Sequence, residues 1–223
     1  ASACGVVGYK PPYGRNTDDP PFNLDFFCHT GPLARTVRDA ALLQNVVSGP
    51  HPSDIATLRP KLTLPLTGKS IKGWKIAYSP DLGIFEVDPE VRRNTEAALD
   101  VFRDLGATVT EVKTGWGPEI FEACIAYLAH IFGGYIAGML DDHADKMTTY
   151  VRHFAEMGRA STSRDYVQAL EVIAGAYAPI GAIMENHDIL ICPTLGLPAP
   201  PADFDSTRHE IRINGKLVDP FLG

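Results

Sequence analysis

The chain has 223 residues, 45% of them hydrophobic and 21% charged, with a formal net charge of −7 at pH 7. That length suffices for one sizeable core, and the composition is that of an ordinary globular protein. The acidic balance argues against nucleic acid as a partner, and no apolar run reaches the roughly 20 residues that a membrane span needs.

The chain opens with small residues, Ala1 to Cys4, that suit the end of a helical turn broken at Gly5. Val6 to Tyr9 reads as a short strand that Pro11 and Pro12 must stop. Nothing in this stretch has the basic start and long apolar run of a secretion signal. Asn16 to Cys28 reads as a loop anchored by Phe22, Phe26 and Phe27. Thr36 with Asp39 three residues on is a variant capping box, so a helix should start there and end at Gly49-Pro50. Residues 51–70, rich in Pro, Ser and Thr and without a period, read as a long surface connection.

Trp74 to Tyr78 then reads as a buried strand, and Asp88-Pro89 as a helix start whose apolar face is Val91, Ala98, Val101, Phe102 and Leu105. After Gly106, residues 107–112 form a second strand, so strand, helix and strand predict a right-handed crossover with parallel pairing. The unit has no Gly-rich phosphate loop, so nucleotide binding is not expected. Pro118 to Leu140 is a long apolar helical region in which Gly134 and Gly138 have the spacing of close helix packing. It suits a core helix, and its small residues could also leave room for an acyl or aryl group. Asp141, Asp142, His143 and Asp145 lack the spacing of a known metal motif and read as a solvated helix start or turn, with His153 on the same polar surface. Ser161 to Ser163 supply an N-cap for a helix running to about Asn186, which Pro179 should kink. Asp188 to Cys192 is a continuous apolar strand of the kind covered on both faces. Ligands collect beyond the carboxyl ends of such strands, which nominates Thr194 and Leu197 as pocket residues or, equally, as parts of a rigid turn. Ile211 to Val218 reads as a hairpin about Asn214-Gly215. The four cysteines, Cys4, Cys28, Cys124 and Cys192, have no paired spacing and are expected as buried free thiols, in keeping with a cytoplasmic protein.

Three of these stretches carry a resemblance. Ala1 to Pro11 followed by Tyr13-Gly-Arg15, then Gly31 to Leu43, then Asp188 to Thr194 with Pro-Ala-Pro after it, resemble consecutive segments of the amidase signature family. They lie in that family's order and spacing and span nearly the whole chain. The resemblance implies an α/β fold with a mixed, largely parallel sheet between helical layers. It also implies amide C–N hydrolysis by a Ser, cis-Ser and Lys triad, without metal or organic cofactor. The Gly-Gly-Ser segment that holds the family's nucleophile has no counterpart in this sequence. Residues 1–223 are therefore expected to be an internal or C-terminal part of a single amidase domain, truncated at both ends, with the triad upstream.

No serine of the chain has a G-x-S-x-G elbow or another local nucleophile signature, so no catalytic residue is nominated within it. The resemblance further nominates Tyr127, Ile131 and Thr194 as part of an acyl-side pocket wall. Tyr9 stands where the family usually has Leu, and Pro12 where it has Thr or Ser, so substrate preference is not transferred. The expected partner is a small-molecule amide, with no nucleic acid and no membrane; a homodimer is left open. Two other readings stay open: an amidotransferase subunit that passes ammonia to a tRNA-dependent partner, and a non-catalytic binding or scaffold module.

Overall fold

In the computed structural model, which describes residues 1–219, the chain divides into two compact units, Ala1–Ser70 and Ile71–Gly223. The first is small and stitched by polar groups. A 3₁₀ turn at Ser2–Cys4 ends at Gly5 and leads into strand β1, Val7–Gly8. This strand pairs antiparallel with β2, Leu33–Ala34. Gly31 sits where the chain crosses the Tyr9–Pro11 segment, and a Cβ there would stand 2.1 Å from the Tyr9 carbonyl oxygen. Helix α1, Val37–Val47, begins as the sequence predicts, with the Asp39 N–H donating to Thr36 Oγ1 at 3.1 Å. Its buried Gln44 exchanges amide hydrogen bonds with Asn16, at 2.6 and 3.1 Å. Residues 51–70 contain no helix or strand.

The second unit is built on a three-stranded parallel sheet. Strand β3 is Lys75–Tyr78, and Ile76 and Ala77 are fully buried in it. Helix α2, Pro89–Asp104, crosses from it to β4, Thr108–Glu111. Asp88 caps the helix, accepting from the Glu90 N–H at 2.7 Å, and Leu99 is its buried contact. The third strand, β5, is Ile189–Ile191. Asp188 clamps its start to β3 twice: its carboxylate accepts from the Lys75 N–H and its own N–H donates to the Lys75 carbonyl, both at 2.8 Å. All three β5 residues are only half-buried, because the strand lies at one edge of this sheet among the described residues. The antiparallel hairpin of β6, Ile211–Ile213, and β7, Lys216–Val218, turns at Asn214 and Gly215 with φ of 52° and 78°. A Lys216–Glu86 ion pair and a 3.2 Å bond from the Asn214 amide to the Val87 carbonyl pin it down.

The apolar stretch 118–140 is not one helix. Helix α3, Glu119–Leu128, passes through a π-helical turn, Ala129–Gly133, into the short α4, Gly134–Ala137. After α5, Leu140–His143, come α6, Thr149–Ala160, and α7, Ser163–Met184. The close helix crossing does not use Gly134 and Gly138. Gly134 faces open space, whereas a Cβ on Gly158 of α6 would lie 2.1 Å from the Gly133 carbonyl carbon. The π turn rotates Gly133 onto that contact, a register a straight helix would not present. Helix α7 opens with a full capping box between Thr162 and Asp165 and runs unbroken through Pro179 to Met184. Trp116 Nε1 donates to the Ala176 carbonyl at 2.9 Å, one residue from the Gly175 carbonyl that Pro179 deprives of its helical N–H.

By length and composition alone, Glu119–Ala137 and Ser163–Met184 could each cross a membrane, although the charge-free part of the sequence is shorter. They pack on each other through Ala123 and Tyr127 of α3 and Ala169 of α7. The cysteines are free, as expected, but Cys4 and Cys28 are exposed and Cys124 and Cys192 half-buried. Apolar or small neighbours in sequence did not translate into full burial: Cys4 lies in the 3₁₀ turn, Cys28 in a loop and Cys192 just past the edge strand β5, and even Cys124, on helix α3, is only half-covered.

Candidate functional site

Two cavities of the second unit lie beside residues nominated from the sequence. The first opens at the carboxyl ends of β3 and β5, has a volume of about 290 Å3, and is lined by Pro80, Leu82, Phe85, Cys192 and Thr194 among others. Leu82 has a left-handed backbone, φ 52°, which a Leu adopts only when held. The hold comes from two buried hydroxyls: the Leu82 N–H donates to Ser79 Oγ at 3.1 Å, and Thr114 Oγ1 donates to the Leu82 carbonyl at 2.6 Å. The loop after Thr194 is fixed by a 2.7 Å bond from the Asp88 N–H to the Gly196 carbonyl. Burial pushes the Cys192 thiol up, so it stays protonated and is a poor nucleophile.

The second cavity, about 790 Å3, lies against α3 and α6. Its wall is apolar and aromatic: Phe121, Ile125, Ala129, Tyr150, Phe154 and Met157. Its rim carries His153, Asp165, Ser206 and Thr207. The rim loop is held by Asp205, whose carboxylate accepts from Thr149 Oγ1 at 2.7 Å, Thr207 Oγ1 at 2.7 Å and the Thr207 N–H at 2.9 Å. These bonds, the one from Thr149 foremost, hold its pKa down at about 2. An apolar wall with a few polar groups at the mouth suits an acyl or aryl substituent.

The four nominated residues are not gathered in one place. Thr194 lines the strand-end cavity. Leu197 lies three residues further along the same loop, outside its lining. Tyr127, 4% exposed, and Ile131 come together in the packed α3–α7 interior, on the same helical stretch as the apolar wall. In the first unit, Tyr9 and Pro12 line a small hollow of about 70 Å3 with Arg15 and Gln44.

One pairing escaped sequence reasoning. His130, in the π turn, has Nδ1 2.9 Å from Ser161 Oγ, and its ring stacks on Tyr166 with centroids 4.6 Å apart. A Ser–His contact is the start of a nucleophilic dyad, but among the described residues no carboxylate hydrogen-bonds the imidazole to orient it. As it stands the pair stitches the π turn to the α6–α7 joint. With the partners 31 positions apart, the one signal in the sequence was a lone polar residue in an apolar run. No group of three or more His, Cys, Asp or Glu among the described residues is placed to hold a metal ion.

The Amidase family profile matches residues 1–217. The chain belongs to the amidase family. It is 31% identical over 207 residues to an amidase of Pseudomonas putida, covering 89% of this chain and 44% of that protein. It is 35% identical over 199 residues to an acylamidase of Rhodococcus erythropolis, covering 87% and 42%. Among solved structures it resembles a bacterial aryl acylamidase of the amidase signature family, with a TM-score of 0.80 at 24% identity over 97% of this chain and 47% of that one. The chain thus spans less than half the length of these relatives, and the structural likeness establishes the fold, α/β with a parallel sheet.

Proposed function

We propose that the protein hydrolyses amide C–N bonds, and that this chain supplies scaffold and acyl-side wall to a Ser, cis-Ser and Lys triad lying upstream of residue 1 in the family order. The observation that carries the reading is the family match over residues 1–217, nearly the whole chain. In the implied reaction a Ser, relayed through the cis-Ser to a neutral Lys, attacks the amide carbonyl; the amine leaves and water frees the acid. Backbone N–H groups of the nucleophile's Gly-rich segment would hold the oxyanion. Thr194, with Leu197 on its loop, and Tyr127 and Ile131, behind the apolar α3 wall, are the residues proposed for the acyl side. That a larger amidase domain completes these 223 residues is supported by the bare apolar side chains of Val37, Val46 and Tyr177, each 70% exposed or more. The four free cysteines support the cytoplasm as its compartment.

A fluorophosphonate probe, which labels activated serines, tests the placement. A chain lengthened with upstream coding sequence should be labelled and the 223-residue chain should not. Labelling of the short chain that Ser161→Ala abolishes would move the nucleophile to the His130–Ser161 pair and overturn the reading.

The amidotransferase reading is favoured by 42% identity to a glutamyl-tRNA(Gln) amidotransferase subunit of Geobacillus thermodenitrificans, over 119 residues and half of this chain. Ammonia release from glutamine, without release from simple acyl or aryl amides, would select it.

A further inference from the structure

Tyr78 ends strand β3 with its side chain 4% exposed, yet its hydroxyl has no hydrogen-bond partner in the structure. A buried hydroxyl left alone is disfavoured, so one that persists points to something that binds it. The ring lines a cavity of about 350 Å3 between the sheet and α2. Glu111 of β4 is the direct cross-strand neighbour of Tyr78 and lines the same cavity. Glu96, Leu99, Asp100 and Arg103 line it from α2, at the spacing of one helix face. Arg103 is committed to Asp100 at 2.6 Å. Neither Glu96 nor Glu111 makes a side-chain hydrogen bond or ion pair among the described residues. The floor is apolar, Leu99 and Val109.

We propose that this cavity binds a primary alkylammonium group, with the Tyr78 hydroxyl and the Glu96 and Glu111 carboxylates as its acceptors. A primary ammonium has three donors to set against three acceptors, and a short alkyl chain covers Leu99 and Val109. Two unpaired carboxylates exclude an anion, and the polar walls disfavour a purely apolar guest. The donor set is also too sparse for a metal, since no three His, Cys, Asp or Glu among the described residues converge. Burial, foremost, and then the Glu96 charge push the Tyr78 phenol up, so it keeps its proton and offers a neutral oxygen as acceptor. The Arg92 charge acts against that shift from outside the cavity lining. The inference stands on this geometry and does not rest on amide hydrolysis.

Calorimetric and NMR titration of the 223-residue chain with n-butylammonium chloride, and with n-butanol as the neutral control, tests it. Saturable millimolar binding of the ammonium alone is expected, weakening with salt. Tyr78→Phe should weaken it about 5-fold and the Glu96→Gln, Glu111→Gln pair about 10-fold or more, with Glu185→Gln neutral. Because Tyr78→Phe removes an unsatisfied group from the free protein, its Tm should stay level or rise by about 2–4 °C. Equal binding of butanol, no saturable signal, unchanged affinity in the variants, or a lowered Tm for Tyr78→Phe would each overturn the proposal. The last two would mean, respectively, binding elsewhere and a structural partner for the hydroxyl.

Discussion

The two units of the chain are held together by different physics. In residues 71–219 the interior is apolar: Ile76, Leu99, Tyr127, Phe154 and Ile213 are buried, and strands and helices meet through them. In residues 1–70 the buried apolar side chains are small, Pro11, Pro32, Ala40 and Ala41, while Asn23, Asp25, Gln44, Ser48 and Asp54 are buried in the same unit. Asp54 is the centre of this polar knot. It accepts from Asn23 Nδ2 at 3.1 Å, the Asp18 N–H at 3.1 Å and the Ala56 N–H at 2.9 Å. A segment with little helix or strand must satisfy its backbone through side chains, so it spends its interior on acceptors. The lesson is that the first unit should be brittle to lost hydrogen bonds and acid, and the second to lost volume.

The contrast can be broken most sharply in the second unit. Ile76→Ala, at a fully buried position in the central strand, should cost about 2–5 kcal/mol in urea unfolding. If it costs as little as a surface change, the apolar packing does not carry that unit. In the first unit, Asp54→Ala leaves three donors unmet and should cost about 2–3 kcal/mol, read as loss of amide protection confined to residues 1–70. The same residue gives the pH dependence. Burial pushes the Asp54 carboxyl up, but the Asp18 and Ala56 N–H groups and the Asn23 amide outweigh it and hold it below its ordinary value. Its contribution is therefore complete above the unfolded carboxylate pKa of about 4 and is lost as pH falls through the lower folded value. Hydrogen exchange at falling pH should show the first unit opening there in the native protein, and Asp54→Ala should abolish that step. Thr36→Ala, which removes the α1 cap, should cost about 1 kcal/mol by thermal unfolding. Smallest of all, Arg159→Ala removes an exposed 2.6 Å pair with Asp141 and should change stability by about 0.2–1 kcal/mol.

Elements whose information lies within a few residues were readable. The Thr36 and Asp88 caps, the parallel β3-α2-β4 unit and the Asn214-Gly215 hairpin formed as expected, because caps and tight turns are settled by neighbours in sequence. The three family segments were likewise visible as residue strings, and the match over residues 1–217 bears out the family they resemble. Of the candidate site, the loop bearing Thr194 was legible, since a strand followed by Pro-Thr marks a carboxyl end wherever it packs.

What the sequence left open depends on partners far apart along the chain. The π turn that brings Gly133 onto Gly158 and His130 onto Ser161 has no local cue, and the small-residue spacing at Gly134 and Gly138 pointed one register away. The left-handed Leu82 is understandable only once Ser79 and Thr114, 35 positions apart, close on it; nothing in the Leu82 neighbourhood of the sequence names Thr114. Tyr78 read simply as the end of a buried strand, and its unmatched hydroxyl appeared only when Glu96 and Glu111 were folded around it. By itself the sequence determined the family, the caps at Thr36 and Asp88, the β3-α2-β4 unit and the Asn214-Gly215 hairpin, all carried by short strings of residues, whereas helix α6 was not read from it. The tertiary structure alone decided which polar groups are satisfied and which are left waiting, because burial and hydrogen bonding are properties of what surrounds a group in space.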